Sequence, residues 1–244
     1  MAKRIALQLY TVRDQAAKDY EGVIREVAKM GYTAVETAGF PGSTAHAAAK
    51  LFNELGLTVT SAHVPLPLGE KKQEVLEMME ALGKPMLVCT QIGRDDVKSM
   101  ESLKRLCDRL NEGYQVARDN QIAFGIHNHW WEFGELDGRL VHHIMLDLLV
   151  PEITFELDTY WIQVAGRDPV EYIKALGSRV PLLHIKDGPA THNAPMTAVG
   201  DGVVDIKGIL DAAVPDVWQI VEMDSCATDV MEATRKSYNF LANL

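Results

Sequence analysis

Two spacings of apolar residues alternate along the chain. Short runs with β character, I-A-L-Q-L-Y at 5–10, A-V-E-T at 34–37, L-T-V-T-S-A-H at 57–63 and M-L-V-C-T at 86–90, read as strands. Between them apolar positions recur every three or four residues. Val23, Ile24, Val27 and Met30 mark a helix over 19–30 that Gly31 stops, and Ser43 or Thr44 caps a second that runs to Leu55 and ends at Gly56. Helices over 71–82, ended by Gly83, and over 98–120 continue the pattern. A fifth strand opens the run I-A-F-G-I-H-N-H-W-W-E-F at 122–133, and after an Asp137-Gly138 turn comes a helix over 140–149. Strands at 153–158 (I-T-F-E-L-D), 180–187 (V-P-L-L-H-I-K-D) and 218–224 (W-Q-I-V-E-M-D) are followed or separated by helices over 169–176, 206–213 and 228–241.

Eight strand-helix units with no linker or change of composition between them predict an α/β fold, one (β/α)8 TIM barrel spanning 1–244 as a single domain. A doubly wound open sheet is the competing arrangement, but it wants a Gly-rich turn after the first strand, and Leu9-Tyr10-Thr11-Val12-Arg13 has none. Many of the strands share a second property: they change from apolar to ionisable toward their C-terminal ends. In a parallel barrel those ends converge, which would bring Glu36, His63, His127, His129, Asp158, His184 and Glu222 to one mouth.

Composition narrows the chemistry. The net charge of -10 and the lack of a basic run count against a nucleic-acid partner. No apolar stretch suits a bilayer and the N-terminus lacks a signal-peptide pattern, so no membrane partner and a cytoplasmic location are expected. Cys89, Cys107 and Cys226 have no metal-type spacing and read as structural thiols. Asp158, His184 and Glu222, with a further carboxylate such as Glu132, form a mixed oxygen and nitrogen set suited to one divalent metal ion, Mn, Co, Mg or Zn. Such an ion can hold a ketose by its carbonyl and a neighbouring hydroxyl, stabilising the enolate formed when a proton leaves the adjacent carbon.

The segments F-G-I-H-N-H-W-W-E-F, E-L-D-T-Y-W-I-Q-V-A-G-R-D-P, L-L-H-I-K-D, V-G-D-G-V-V-D-I and I-V-E-M-D occur in that order. Together they resemble the sugar phosphate isomerase/epimerase family of the xylose-isomerase-like TIM-barrel superfamily, which includes ketose 3-epimerases and inosose dehydratases. The resemblance implies one divalent metal at the barrel mouth, held by the last four strands, with Asp158, His184 and Glu222 as ligands. It also exposes a departure. Where the epimerases carry a fifth-strand glutamate that both binds metal and moves a proton, this chain has Gly125. Glu132 from the following loop matches the missing group in charge and is the favoured fourth ligand, with His127, one layer higher, as the alternative.

Histidine is the natural replacement for the missing base, because its pKa lies near neutrality. His127 and His129 lie two apart on one strand face and suit an acid/base pair, while Glu222 is both ligand and catalytic candidate. Lys186 shares the face of His184 and would steady an oxyanion or a departing hydroxyl. Glu36, His63 and Trp161 are expected to contact a sugar, with Trp130, Trp131 and Tyr160 as further stacking or capping surfaces. These features fit an isomerase or epimerase acting on a small-molecule sugar or keto-sugar; a keto-sugar or inosose dehydratase/lyase and a non-catalytic sugar- or partner-binding barrel are the alternatives. A homo-oligomer is an assembly the sequence permits.

Plainer roles are expected elsewhere. His46, His142, His143 and His192 read as surface residues, Lys186-Asp187 also fits an exposed ion pair, and Gly200-Asp201-Gly202 reads as a turn, since no P-loop Lys-Ser or Lys-Thr follows. Glu156, one layer below Asp158, reads as a residue that orients a ligand from behind.

Overall fold

Residues 3–244 are described by the computed structural model. Eight parallel strands close on themselves: β1 (Ile5–Gln8), β2 (Ala34–Thr37), β3 (Thr58–His63), β4 (Met86–Cys89), β5 (Phe124–His127), β6 (Thr154–Asp158), β7 (Leu182–Ile185) and β8 (Trp218–Val221), with β1 pairing β8 to complete the barrel. Helices α1 (Tyr20–Lys29), α2 (Ala45–Leu55), α3 (Lys72–Ala81), α4 (Met100–Asp119), α5 (Val141–Leu148), α6 (Pro169–Leu176), α7 (Ile206–Ala212) and α8 (Val230–Asn243) follow the strands in turn. The predicted TIM barrel is therefore the observed fold. Their boundaries are set by side chains: Asp19 accepts from the Gly22 N–H to start α1, Asp229 from Glu232 N–H to start α8, and Gly56 ends α2 in a left-handed conformation.

Several predicted strands are shorter. β1 stops at Gln8, because Leu9–Val12 turns into a 3-10 helix whose start Gln8 caps, its side-chain Oε1 accepting from Tyr10 N–H. The Asp137-Gly138 turn joins a small antiparallel ribbon, Glu135–Leu136 with Arg139–Leu140, before α5. A short helix, Thr159–Val164, was not expected from the sequence; it begins where β6 ends and is capped by Asp158.

The apolar residues divide between two places. Most, including Leu7, Leu87, Leu157, Leu183 and Val221, point outward from the strands to meet the helices. A smaller cluster, Ala6, Ala34, Val88, Leu182 and Ile220, with Met86 and Trp218 against it, fills the lower barrel interior. Above that floor the interior turns polar. Gln8, Glu36, Ser61, Glu156, Asp158 and His184 are all fully buried, so the strands that hold the fold together also carry the ionisable groups. The pairing of β2 with β3 shifts at Val35/Glu36, placing Ser61 rather than Thr60 opposite Glu36. The shift turns Ser61 and His63 toward the barrel axis.

Candidate active site at the barrel mouth

The polar interior is built in two tiers. In the lower tier Glu36 accepts hydrogen bonds from Gln8 Nε2 at 2.6 Å, from Ser61 Oγ and from His184 Nε2 at 2.7 Å. Glu156 accepts from His63 Nε2 at 2.7 Å and His127 Nδ1 at 2.9 Å. Two fully buried carboxylates thus orient three imidazoles. Each carboxylate needs that company, since an unpaired buried charge is costly.

The upper tier is formed by His127 Nε2, Asp158, His184 and Glu222, whose potential ligand atoms lie within 4.8 Å of one another. Asp158 Oδ1 accepts from the Trp161 N–H at 3.0 Å, leaving Oδ2 without a hydrogen-bond partner. With Nε2 of His184 donated to Glu36, its Nδ1 faces the same space, 2.7 Å from Glu222 Oε2 and 4.0 Å from Asp158 Oδ2, yet it makes no hydrogen bond. Buried polar atoms are rarely left unpaired. Two such atoms converging beside a second carboxylate, that of Glu222, fit a divalent cation, and the Glu36 contact behind His184 is the usual support of a ligating imidazole. Asn128 clasps the end of β6 from the neighbouring strand, donating to Asp158 O and accepting from Asp158 N–H, which fixes the height of Asp158 in the mouth.

Charge follows from this packing. Burial resists ionisation of Glu36 and Glu222, but the positive charges of His63 and His184 beside the former, and of Lys186 and His184 beside the latter, hold both well below the usual carboxylate range. Burial raises Asp158, and Lys186 and His184 offset this only in part. His63 is driven up to about 10: burial disfavours its cation, yet Glu36 and Glu156 prevail. His127 goes the other way, because burial and the neighbouring His184 outweigh its bond to Glu156. With its Nδ1 against Glu156, its Nε2 faces the upper tier, 3.8 Å from Asp158 Oδ2.

Above the two tiers opens a cavity of about 390 Å³, lined by Tyr10, His63, Thr90, His127, His129, Trp161, Glu222 and Asp224. Of the sequence-predicted site residues, His63, His127, His129, Trp161 and Glu222 reach this cavity, with Asp158 and His184 in the tier beneath. Glu36 does not line it, being enclosed by Gln8, Ser61 and His184. Glu132 lies outside the upper-tier group; its buried carboxylate accepts from His129 N–H at 3.0 Å and stands 3.4 Å from His129 Nδ1. His129 is stacked on Trp131, ring centroids 4.1 Å apart. Trp130 lies outside the lining, against Arg94 and His192, and Tyr160 is fully buried.

Gly125 has a steric explanation. A Cβ there would lie 3.2 Å from Met86 Sδ and 3.3 Å from Thr154 Oγ1, closer than ordinary contact, so any side chain would require these two to give way. His127, two residues on, supplies a donor from the next layer instead.

Other residues stand differently from their expected places. Lys186 and Asp187 are each 1% exposed rather than a surface pair. The Lys186 ammonium lies 2.8 Å from Asp158 Oδ2, 2.8 Å from Glu222 Oε2 and 2.7 Å from Asp224 Oδ2, while Asp187 accepts backbone N–H bonds from Gly188, Gly200, Gly202 and Val204. The Gly200–Gly202 turn wraps this carboxylate so closely that a Cβ on Gly202 would collide with it at 2.0 Å. His142 is buried, because it shares the packed side of α5 with Val141, Ile144 and Met145 and lies against Phe133, Phe155 and Tyr172. His46, His143 and His192 are exposed. Asp224, Tyr10 and Gln8 were not singled out from sequence; Asp224 falls two residues after Glu222, the spacing that could have marked it.

The barrel is similar to several solved structures. A sugar phosphate isomerase/epimerase from Parabacteroides distasonis ATCC 8503 superimposes with a TM-score of 0.83 at 22% identity, covering 100% of this chain and 99% of that chain. An L-ribulose 3-epimerase gives 0.74 at 14% identity over 100% and 94% of the two chains. The probable 3-DHS dehydratase involved in petrobactin synthesis from Bacillus anthracis gives 0.76 at 13% identity over 100% and 99%. At these identities the likeness speaks for the fold alone. The search of curated proteins returned no match. The family model described as xylose isomerase-like TIM barrel matches residues 24–244, nearly the whole closed barrel together with every residue of the upper tier, and the chain belongs to that family.

Proposed function

We propose that the protein is a divalent-metal-dependent enzyme of the isomerase/epimerase kind, abstracting a proton next to the ketone of a sugar or sugar derivative. The observation that carries this reading is the convergence of Asp158 Oδ2, His184 Nδ1, Glu222 Oε2 and His127 Nε2 below a sugar-sized cavity, two of them buried without hydrogen-bond partners. A divalent ion held by these residues supplies Lewis-acid polarisation of a ketone and the hydroxyl beside it.

The remaining steps belong to side chains. His129 lines the cavity beside the ligand group, and Glu132 holds its backbone and faces its Nδ1, an arrangement that suits an imidazole taking and returning a proton. In this reading Glu132 orients His129, and His127 takes the fourth place in the ligand set. Lys186 stands where negative charge would develop on oxygen, and Trp161 covers the substrate against water.

A dehydratase or lyase acting on a keto-sugar is the second reading, favoured by one observation. The fifth-strand carboxylate of a two-glutamate epimerase is replaced by Gly125, where a side chain would have to displace Met86 and Thr154. Both readings begin with the same proton abstraction. Incubating metal-loaded protein with a panel of ketoses and keto-inositols in deuterated water tests it: deuterium enters the carbon next to the ketone, and loss of water from the product separates the second reading from the first. Stoichiometric metal with no exchange on any member would overturn the enzymatic reading and leave a binding barrel.

A further inference from the structure

We infer that Lys186 is a movable counter-ion that competes with the divalent metal for Asp158 and Glu222 and withdraws to Asp224 when the metal binds. The inference rests on the metal reading above and concerns a residue no ligand set includes.

Lys186 Nζ lies 2.8 Å from Asp158 Oδ2 and 2.8 Å from Glu222 Oε2, oxygens that both belong to the candidate ligand group. Neither contact meets the angles of a hydrogen bond. Its one hydrogen bond among the described residues goes to Asp224 Oδ2, at 2.7 Å. The Trp161 ring centroid is 5.4 Å from the ammonium, a second favourable contact for a cation. The ammonium is therefore held by one directed bond and attracted by two undirected charges.

Charge balance gives this geometry its meaning. Without a metal, Asp158, Glu222 and Asp224 gather acidic groups around one point, and Lys186, 1% exposed, brings positive charge among them. A divalent ion on Asp158 and Glu222 takes over that neutralisation and repels the ammonium at close range. Asp224, two residues beyond Glu222 and bordering the cavity, offers a place to withdraw without leaving the mouth. The same movement leaves the ammonium facing the cavity beside Trp161, where a substrate oxygen would lie.

The test is calorimetric titration of Mn²⁺ alone into metal-free parent, Lys186→Met, Lys186→Gln, Asp224→Asn and the Lys186→Met/Asp224→Asn double variant, each checked for folding by circular dichroism. Removing the competing charge should tighten Mn²⁺ binding about tenfold or more, the scale of groups that act on a metal through its ligands. Asp224→Asn, which removes the withdrawal site at a partly exposed position, should weaken binding, and this effect should vanish in the Lys186→Met background. Lys186→Gln carries the same expectation should Lys186→Met not fold. Equal or weaker binding in the folded lysine variants, with the parent still binding Mn²⁺, overturns the competition and leaves the metal site standing. Absence of Mn²⁺ binding in parent and variants alike overturns the metal reading and the inference together.

Discussion

The floor and the mouth of this barrel are made by the same strands, one or two residues apart, and obey opposite rules. On β8 the inward Ile220 is closed off among Ala6, Ala34, Val88 and Leu182, while Glu222 just beyond the strand stands against His184 and Lys186. The floor gains by excluding water from apolar surface, and any loss of volume is felt as a cavity. The mouth gives up part of that stabilisation to hold carboxylates and cations in a set of mutual contacts. A barrel can carry such a mouth because the floor and the helix-facing layer already close it.

The comparison is tested most strongly at Asp158. Asp158→Ala should abolish stoichiometric retention of Mn²⁺ by elemental analysis and lower any deuterium-exchange activity about a thousandfold, the several kcal/mol that Lewis-acid stabilisation contributes; retained metal in this variant would show that the upper tier is not the site. Ile220→Ala is the opposite change, expected to cost about 2–5 kcal/mol in urea unfolding while leaving Mn²⁺ affinity in place. A parallel loss of affinity would mean that floor and mouth are not separable.

The histidines sharpen the contrast further. Those at the mouth have carboxylate partners; His142 has none, and burial depresses its pKa to about 3. A depressed histidine is neutral when folded and takes up a proton on unfolding, so stability falls as pH drops below the unfolded value near 6.5 and goes on falling until about 3. The expected contribution is about 2 kcal/mol between pH 7 and pH 5. His142→Leu should flatten the acid limb of stability by that amount, and an unchanged pH slope would count against it. The smallest effect is expected at Glu132, where Glu132→Gln should lower turnover about tenfold with metal content unchanged. Loss of metal instead would return Glu132 to the ligand set.

The sequence displays the barrel readily, because alternating periods of two and 3.6 and the glycines after helices are local signals. The convergence of Asp158, His184 and Glu222 was equally legible, since parallel strands of similar length place their C-terminal ends at one height. What it did not display depends on contacts between distant segments. The space at Gly125 is crowded by Met86 and Thr154 from the two neighbouring strands, and whether a carboxylate fits there is a question of volume. Lys186 and Asp187 look like a solvated pair until the loop after β7 is seen folding over one and Asp158, Glu222 and Asp224 surrounding the other. His142 reads as polar surface by residue type, yet on α5 it falls with Val141, Ile144 and Met145 on the buried side, away from the exposed His143 and Asp147.

One buried carboxylate also bears on how this fold can change. Asp187 ties down Gly188 at the start of the β7–α7 connection and Gly200, Gly202 and Val204 at its end, and Met196 is pinned separately to Ser225 and Ala227. The stretch 189–195, which brings His192 to the rim beside Trp130, is thus a module with both ends anchored independently of its own residues. Lengthening such a segment costs only the slowly growing entropy of closing a longer loop. The rim of this barrel can therefore be rewritten by insertion or exchange at 189–195 while the polar tiers below keep their arrangement, a natural point of entry for altering what the cavity admits.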